Sequence, residues 1–226
     1  KKEKSADLKL RIEYGKKHEQ EYFKILSKKH KKHITIDPKQ PAKKKYEYTI
    51  EAIKDGYDLI YKAYLLYEDF GGEIDFLIKS KSKSDLGDFS YEVYDTKVTK
   101  TLRPKHLLQT TGYSFLLSKI QGLMPKKMHL VDGTQLINSF NVNEFVDYFL
   151  FTKNNFEKFL STVLKEKMYP EKCSFCNICD WQDVCTKKWD EDNYINQVCG
   201  IRSSQVSKLK KENISTIEKL AKTDPK

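Results

Sequence analysis

Three charged side chains on two predicted strands have the types and spacing of a phosphodiester-cleaving site. Asp75 lies in the apolar segment 71–78, and Asp95 and Lys97 lie in the next such segment, 91–98. Because side chains alternate along a strand, Asp95 and Lys97 share a face, and a hairpin would bring Asp75 beside them. Carboxylate oxygens suit Mg²⁺ or Mn²⁺, and a nearby lysine can polarise a phosphate or position a water molecule. The same three charges would also fit an ordinary cross-strand surface pairing.

The expected elements around this hairpin alternate between helices and strands. Apolar spacing predicts an amphipathic helix at residues 6–30 and a second helix from Pro104 to Gln121. On the second helix Gln109 and Tyr113 are one turn apart and share a face. The other expected elements are a short helix at 51–59, a strand at 59–66, a strand pair at 128–131 and 136–140, and a long helix after residue 143. This order predicts an α/β fold, with a mixed central β-sheet flanked by helices.

Two further segments carry expectations about solvent exposure. Residues 28–45 are rich in lysine and contain two prolines, which indicates a strand start followed by a solvated loop. The long helix after residue 143 has an apolar stripe at helical spacing, which indicates a core-facing element rather than a cofactor site. The stripe consists of Phe145, Phe149, Thr152, Phe156, Phe159 and Val163.

The composition favours a globular protein with a polyanionic partner. The 226 residues carry a net charge of +10, and 38% of them are hydrophobic. Such a charge suggests nucleic acid or an anionic membrane surface, although a lysine-rich proteome would give the same balance. No apolar run of about 18 residues occurs, so no membrane span is expected. All five cysteines follow residue 172, which indicates a local metal site in a cytoplasmic protein rather than a disulfide framework.

Four closely spaced cysteines form a second candidate site. They are Cys173, Cys176, Cys179 and Cys185, separated by two, two and five residues. Thiolates at this spacing are typical of a tetrahedral Zn²⁺ site or of an iron–sulfur cluster, and the spacing alone does not decide between them. The fifth cysteine, Cys199, is expected to be buried and not to act as a ligand.

The last part of the chain is expected to be helical. Two short helices joined by a tight turn are predicted after Gly200, and Asn213 lies in the turn. Asparagine tolerates the left-handed backbone conformation that such turns require. This pattern resembles a helix-hairpin-helix module, which contacts DNA phosphates through backbone N–H groups. A helical linker to a following domain fits the same residues equally well.

Four short motifs occur in a fixed order within residues 8–185, and together they are far more specific than any one of them. The set, with the cysteine cluster, resembles the RecB-like nuclease domains of the PD-(D/E)XK superfamily, akin to the CRISPR-adaptation nucleases and the AddB subunit. The motifs are Gly15-x-x-His18-Glu19, Gly72-x-x-Asp75, Asp95-x-Lys97 and Gln109-x-x-x-Tyr113.

The resemblance implies three parts and a function. The parts are a restriction-endonuclease-like core at 1–168, an iron–sulfur or zinc segment at 169–190, and a truncated helix-hairpin-helix-like segment at 191–226. The implied function is divalent-metal-dependent hydrolysis of single-stranded or end-bearing DNA, commonly alongside a helicase domain or subunit. The alternatives are an inactive nuclease-fold module that binds or scaffolds DNA, and a zinc-stabilised protein-interaction domain.

The resemblance also implies roles for individual residues. Asp75 and Asp95 would hold one or two Mg²⁺ or Mn²⁺ ions, with His18 and the Thr96 carbonyl as further ligands. Lys97 would orient and activate the attacking water. Gln109 and Tyr113 would position the lysine or the substrate strand. Judged without the resemblance, His18 lies beside an apolar stripe and would be expected to be a hydrogen-bonded core histidine.

In the resembled nucleases the cysteine cluster holds a four-iron four-sulfur (4Fe–4S) centre. Three of its ligands would correspond to Cys176, Cys179 and Cys185, and the fourth lies far upstream, near the N-terminus. This chain has no cysteine before Cys173. Either Cys173 replaces the upstream ligand, or that ligand lies outside this sequence, or the site is incomplete.

Overall fold

A computed structural model of the chain describes residues 6–163 and 168–224. The chain divides into two compact units, of which the larger comprises Lys9–Phe159 and the smaller mainly Leu160–Lys226. Within the described ranges, no helix combines the length and the apolar character that crossing a membrane requires.

A six-stranded mixed sheet forms the centre of the larger unit. The strands are adjacent in chain order, and β1–β2 and β4–β5 are parallel whereas the other neighbours are antiparallel. Parallel neighbours need a crossover, and helices provide both crossovers here. This confirms the predicted mixed α/β sheet flanked by helices. The strands are β1 (His33–Thr35), β2 (Leu59–Tyr67), β3 (Phe70–Ser80), β4 (Ser90–Thr96), β5 (Lys127–Val131) and β6 (Ile137–Asn141).

Helices cover both faces of this sheet. On one face, Tyr22 and Leu26 of the first helix pack with Phe76 and its neighbours. On the other face, Ile53 and Leu116 pack against the strands from the second and third helices. The helices are α1 (Ala6–Lys29), α2 (Ala42–Lys54), α3 (Pro104–Gln121) and α4 (Val146–Val163).

The helix boundaries agree with the sequence at α3 and differ from it at α2. Pro104 occupies the first turn of α3, and Gly122 ends the helix at φ 64° in the left-handed conformation. Helix α2 begins at Ala42, directly after Pro41, whereas residues 28–45 were predicted to end in a loop. That prediction was wrong because lysine is a good helix former and proline is compatible with a helix start.

The second strand contains a backbone distortion at Lys62. Its φ is 60°, which is uncommon for a non-glycine residue and costs about 1–3 kcal/mol. Before this point Leu59 and Tyr61 pack in the core beneath α1. After it Ala63 and Leu65 pack in the core on the opposite face of the sheet. In a regular strand these four side chains would share one face of the sheet. The distortion at Lys62 therefore moves the side chains that follow it to the opposite face.

Helix α4 does not bury the stripe expected of it. Phe149 is buried and packs near Phe70 and Phe115. Phe156 and Phe159, further along the helix, are 58% and 49% exposed. The prediction of a core-facing stripe was therefore wrong for the second half of α4. Periodicity shows that a helix has an apolar face, but it does not show whether another element covers that face.

The smaller unit has a small apolar core of its own. It contains α5 (Gln182–Glu191), α6 (Ser203–Lys211) and α7 (Ile217–Ala221). Trp189 and Val206 lie in its core, and Asn213 adopts φ 61° in the turn between α6 and α7. The two expected short helices and their left-handed turn are therefore present. Cys199, predicted to be buried, is exposed.

Candidate active site

Asp75 and Asp95 lie where two neighbouring strands separate. The ladder between β3 and β4 runs from Ser80–Ser90 to the pair Phe76–Tyr94. Asp75 and Asp95 are the next residues in this register. From here β3 continues along β2, while β4 pairs with β5 through Asp95 and Thr96. The divergence leaves room for side chains between the strands, and it places the two carboxylates on adjacent strands as the sequence predicted.

Hydrogen bonds to Thr96 hold the Asp75 carboxylate in this gap. Its Oδ2 atom accepts the backbone N–H of Thr96 at 2.8 Å and the Thr96 hydroxyl at 2.7 Å. Its Oδ1 atom lies 3.3 Å from Nζ of Lys62. Both oxygens of the carboxylate therefore have partners. Thr96, which the sequence offered as a carbonyl ligand, contacts Asp75 through its N–H and side chain.

Asp95 is buried beside Lys97. Its exposed fraction is 3%, and its Oδ2 atom forms an ion pair with Nζ of Lys97. Desolvation, followed by the negative charge of Asp75, raises the pKa of Asp95 to about 7, while Lys97 opposes the shift. Lys97 follows the last residue of β4, and its backbone N–H donates to the Val131 carbonyl at 2.8 Å. The two acids thus lie in one confined region, Asp95 beside Lys97 and Asp75 beside Lys62.

A chain of hydrogen bonds links Lys97 to α3. Nζ of Lys97 donates to Oε1 of Gln109 at 3.0 Å, and Nε2 of Gln109 donates to the Tyr113 hydroxyl at 2.8 Å. Burial raises the pKa of Tyr113 to about 12, so the hydroxyl stays protonated at neutral pH. A Cβ atom at Gly72 would lie 2.7 Å from Cε1 of Tyr113, so the ring needs a glycine there. The structure therefore brings together the second, third and fourth sequence motifs.

The site contains two lysines and two glutamates that were not predicted as functional residues. Nζ of Lys62 lies 2.5 Å from Oε1 of Glu19 on α1 and 3.6 Å from Oε1 of Glu73 on β3. Nζ of Lys45 lies 2.8 Å from Oε2 of the same Glu73. A charged residue in the middle of the apolar segment 59–66 was a usable signal, because isolated charges inside a strand are costly. The partners of that charge depend on the tertiary fold.

The charges of Glu19 and Lys62 respond to each other and to Asp75. Burial, followed by the charge of Asp75, raises the pKa of Glu19, and Lys62 opposes this shift. Burial alone would lower the pKa of Lys62, but Asp75 and Glu19 outweigh it and raise that pKa. Lys62 is therefore a firmly charged ammonium group within a cluster of carboxylates.

His18 precedes Glu19 on α1 and is 9% exposed. Its Nε2 atom is buried and has no hydrogen-bond partner among the described residues. A core histidine of the ordinary kind would satisfy this atom, because an orphaned buried polar group costs free energy. A nitrogen in this state is a suitable metal ligand.

The donor atoms are of the right type for a hard cation, but they do not form a complete set. Across residues 6–163 and 168–224, no group of three or more His, Cys, Asp or Glu side chains has an arrangement that could hold a metal ion. Asp75 and Asp95 supply carboxylates, His18 supplies an orphaned nitrogen, and burial with the charge of Asp75 raises the pKa of Asp95. The side chains fit Mg²⁺ or Mn²⁺ in kind, while Lys62 and Thr96 occupy the oxygens of Asp75.

The cysteine segment shows contacts within one pair. The Sγ atoms of Cys173 and Cys176 are 3.9 Å apart, and the backbone N–H of Cys173 donates to Sγ of Cys176 at 3.2 Å. Cys176 and Cys185 pack against the core of the smaller unit, while Cys179 is half-buried. All four thiols are free. Like the carboxylates, the described cysteines do not form a group of three or more side chains that could hold a metal ion. The expected metal-bound subdomain is therefore not seen.

Comparison with known proteins adds no family to this description. No protein family matches the chain, and no curated protein sequence matches it. The carboxylates, the lysines and the orphaned histidine are therefore the features from which a function can be inferred.

Proposed function

We propose that this chain is a divalent-metal-dependent nuclease that hydrolyses phosphodiester bonds in DNA, on single strands or at DNA ends. The observation that carries this proposal is the buried pair of Asp75 and Asp95 with Lys97 beside it. Burial, followed by the charge of Asp75, raises the pKa of Asp95 although Lys97 lies beside it. A buried acid with a strongly shifted pKa inside a cluster of charged side chains is typical of functional sites. Resemblance to the RecB-like nucleases supports the same function.

In this proposal Asp75 and Asp95 hold Mg²⁺ or Mn²⁺, with His18 and the Thr96 carbonyl as further ligands. When bound, such an ion supplies Lewis-acid polarisation of the scissile phosphate. Lys97 orients the attacking water and stabilises negative charge that develops on the phosphate. Gln109 limits the motion of Nζ of Lys97. Tyr113, wedged against Gly72, in turn holds the Gln109 amide.

Positive charge at the start of α3 supports a polyanionic substrate. Burial, followed by the charges of Lys97, Lys105 and Arg103, lowers the pKa of His106. The effect of these cations on His106 indicates a positive potential beside Lys97. Lys100 adds a further positive charge to the segment that connects Lys97 to α3. Phosphate groups on either side of a scissile bond would be attracted to such a segment without regard to base sequence.

The cysteine segment is proposed to hold a structural metal centre, either 4Fe–4S or zinc. Two ligands of one tetrahedral zinc ion lie about 3.8 Å apart, given Zn–S bonds of about 2.3 Å. The separation of 3.9 Å between Cys173 and Cys176 is close to that value. A brown preparation with iron and sulfide would identify the cluster, and a colourless one with stoichiometric zinc would identify zinc. A helicase partner and a cytoplasmic location rest on the resemblance and the cysteine usage.

The decisive test is a nuclease assay with matched variants. Labelled single-stranded DNA and blunt duplex DNA are incubated with the purified chain and Mg²⁺ or Mn²⁺. We expect cleavage by the parent and a loss of about 100-fold or more in Asp95→Asn and in Lys97→Met. Glu92→Gln is the control, since Glu92 pairs with His129 at 3.0 Å on the same sheet. Variants that cleave as fast as the parent would falsify the proposal.

A second candidate is a nuclease-fold module that binds or scaffolds DNA without cleaving it. The absence of a three-ligand group among the described residues favours this candidate. It predicts DNA binding by the parent with no cleavage in Mg²⁺, Mn²⁺, Co²⁺ or Ca²⁺. The intact triplet of Asp75, Asp95 and Lys97 favours the nuclease, because a binding module has no use for a buried acid with a raised pKa.

A further inference from the structure

Lys62 lies directly across from Asp75 in the register between β2 and β3. The ladder pairs Tyr61 with Phe76 and Ala63 with Ile74, which leaves Lys62 and Asp75 facing each other. Lys62 has the positive φ described above. A strained lysine in the interior of a strand persists where its side chain has a task, because glycine or asparagine would meet the same backbone requirement at lower cost.

The distortion gives the Lys62 ammonium access to carboxylates on two elements. Its Nζ atom contacts Glu19 on α1 at 2.5 Å and Asp75 on β3 at 3.3 Å. Without this ammonium, the mostly buried carboxylates of Glu19 and Asp75 would lie close together with no positive charge between them. Glu73 is less dependent on Lys62, since Lys45 contacts its other oxygen.

The same contact competes with any cation at Asp75. Oδ2 of Asp75 is held by two hydrogen bonds from Thr96, one of them from the backbone. Oδ1 is therefore the oxygen that a cation can take, and Lys62 occupies it. A divalent ion at Oδ1 and an ammonium at hydrogen-bond distance from the same oxygen would also repel each other.

We infer that Lys62 is a positioning residue that neutralises Glu19 and Asp75 in the metal-free protein and is displaced from Asp75 when a divalent cation binds. Lys62 thereby sets the affinity of the site for that cation. This inference rests on the proposed function, because it requires Asp75 to be a ligand. It assigns a role to a residue outside the four sequence motifs, and it accounts for the incomplete ligand set.

The experiment measures Mn²⁺ binding by calorimetry and the melting temperature with Mn²⁺ or with EDTA. Lys62→Met removes the charge and keeps the aliphatic stem. Lys62→Gly removes the charge and also the backbone strain, so it remains informative if the methionine variant folds poorly. We expect both variants to bind Mn²⁺ at least about tenfold more tightly than the parent. Mn²⁺ should also raise their melting temperatures by more than it raises that of the parent. Lys62→Arg, which keeps the charge, should bind Mn²⁺ like the parent.

Two further variants separate the possible outcomes. Lys153→Met is the control, since Lys153 is a similarly buried lysine paired with Glu157 on α4, and it should leave Mn²⁺ affinity unchanged. Asp75→Asn should abolish the tight binding in every background. If the parent binds Mn²⁺ through Asp75 and the Lys62 variants bind it equally or more weakly, the inference is overturned and the proposed function stands. If neither the parent nor the Lys62 variants bind Mn²⁺, the proposed function fails as well.

Discussion

Thr96 donates two hydrogen bonds to one oxygen of Asp75, from its backbone N–H at 2.8 Å and from its hydroxyl at 2.7 Å. The bonds join β4 to β3 at the point where their ladder ends. They fix the plane of the carboxylate. They also connect the two strands at a position where the strands no longer form backbone hydrogen bonds with each other. Thr96 thus positions the Asp75 side chain, a contact separate from the carbonyl-ligand role that the resemblance implies.

Replacing Thr96 by valine should therefore destabilise the larger unit. The backbone bond remains and the hydroxyl bond to a charged acceptor is lost, so the free energy of unfolding should fall by about 1–3 kcal/mol. Urea unfolding measures the change. Thr152→Val on α4 is the control, because its hydroxyl donates to a carbonyl of its own helix, and it should change stability by less than about 0.5 kcal/mol. Equal effects in the two variants would contradict the assigned role.

The contact between Lys97 and Gln109 leads to a prediction about catalysis. In Gln109→Leu, Nζ of Lys97 loses an acceptor at 3.0 Å while the helix is preserved. We expect the single-turnover rate of DNA cleavage to fall by about 10- to 100-fold, with Mn²⁺ affinity unchanged. Gln40→Leu removes a comparable amide contact, to Asp37, in a surface loop and should leave the rate unchanged. A loss of Mn²⁺ affinity in Gln109→Leu would show that Gln109 acts on the metal site instead.

The sequence predicted those parts of the fold that are encoded locally. Alternation located β3 and β4, and Pro104 and Gly122 marked the ends of α3. The triplet Asp75, Asp95 and Lys97 could be placed together because a hairpin fixes the register of two consecutive strands. Each of these predictions used a sequence pattern that spans no more than about 30 consecutive residues.

The missed features all depend on contacts between distant segments. Alternation along 59–66 assumes one regular strand, so it could not show that Lys62 turns β2 over. The pairing of Lys62 with Glu19 joins a strand to a helix more than 40 residues away in the chain. The exposed half of α4 was missed for the same reason, because an apolar stripe does not identify its partner.

The raised pKa of Asp95 predicts an unusual pH dependence of stability. The usual pKa of an aspartate is 3.8, and in the folded chain the pKa of Asp95 is about 7. Between these values the unfolded chain has released the proton and the folded chain retains it. The free energy of unfolding should therefore fall as the pH rises through this window, by at most about 4 kcal/mol from this residue. The contribution of Asp95 to stability should therefore be lowest above about pH 7.

Asp95→Asn tests this prediction, because asparagine does not titrate. Urea unfolding in EDTA should show a flatter profile than the parent between about pH 4 and about pH 7. The difference between the two proteins isolates Asp95 from the other carboxyl groups. Parallel profiles would mean that Asp95 is already ionised near its usual pKa in the folded chain.

Two glycines of the sequence motifs should respond to alanine in opposite ways. At Gly72 the new Cβ would lie 2.7 Å from Cε1 of Tyr113, so Gly72→Ala should destabilise the chain by about 1–3 kcal/mol and displace the ring. At Gly15, on α1, the nearest atom would be 3.9 Å away, at Val98. Gly15→Ala should stabilise the chain by about 0.5–1 kcal/mol. Thermal unfolding distinguishes the two, and a stable Gly72→Ala would refute the packing role.

The two tryptophans allow the cysteine segment to be tested separately from the larger unit. Trp189 is buried in the smaller unit and donates Nε1–H to the Pro170 carbonyl at 2.8 Å, whereas Trp181 is 70% exposed. In a Trp181→Phe background, fluorescence therefore reports on Trp189. If the cysteines hold a structural metal, Cys179→Ser should lower the melting temperature seen by Trp189 by about 10 °C or more.

Cys199→Ser is the matched control, since Cys199 is exposed and lies outside the cluster, and it should melt like the parent. A chelator should reproduce the effect of Cys179→Ser in the parent and add nothing to that variant. Cys176 and Cys185 pack against the small core around Trp189, so loss of a metal that they held would loosen this core directly. If Cys179→Ser melts at the parent temperature, with the metal content unchanged, the four cysteines do not form a structural metal centre.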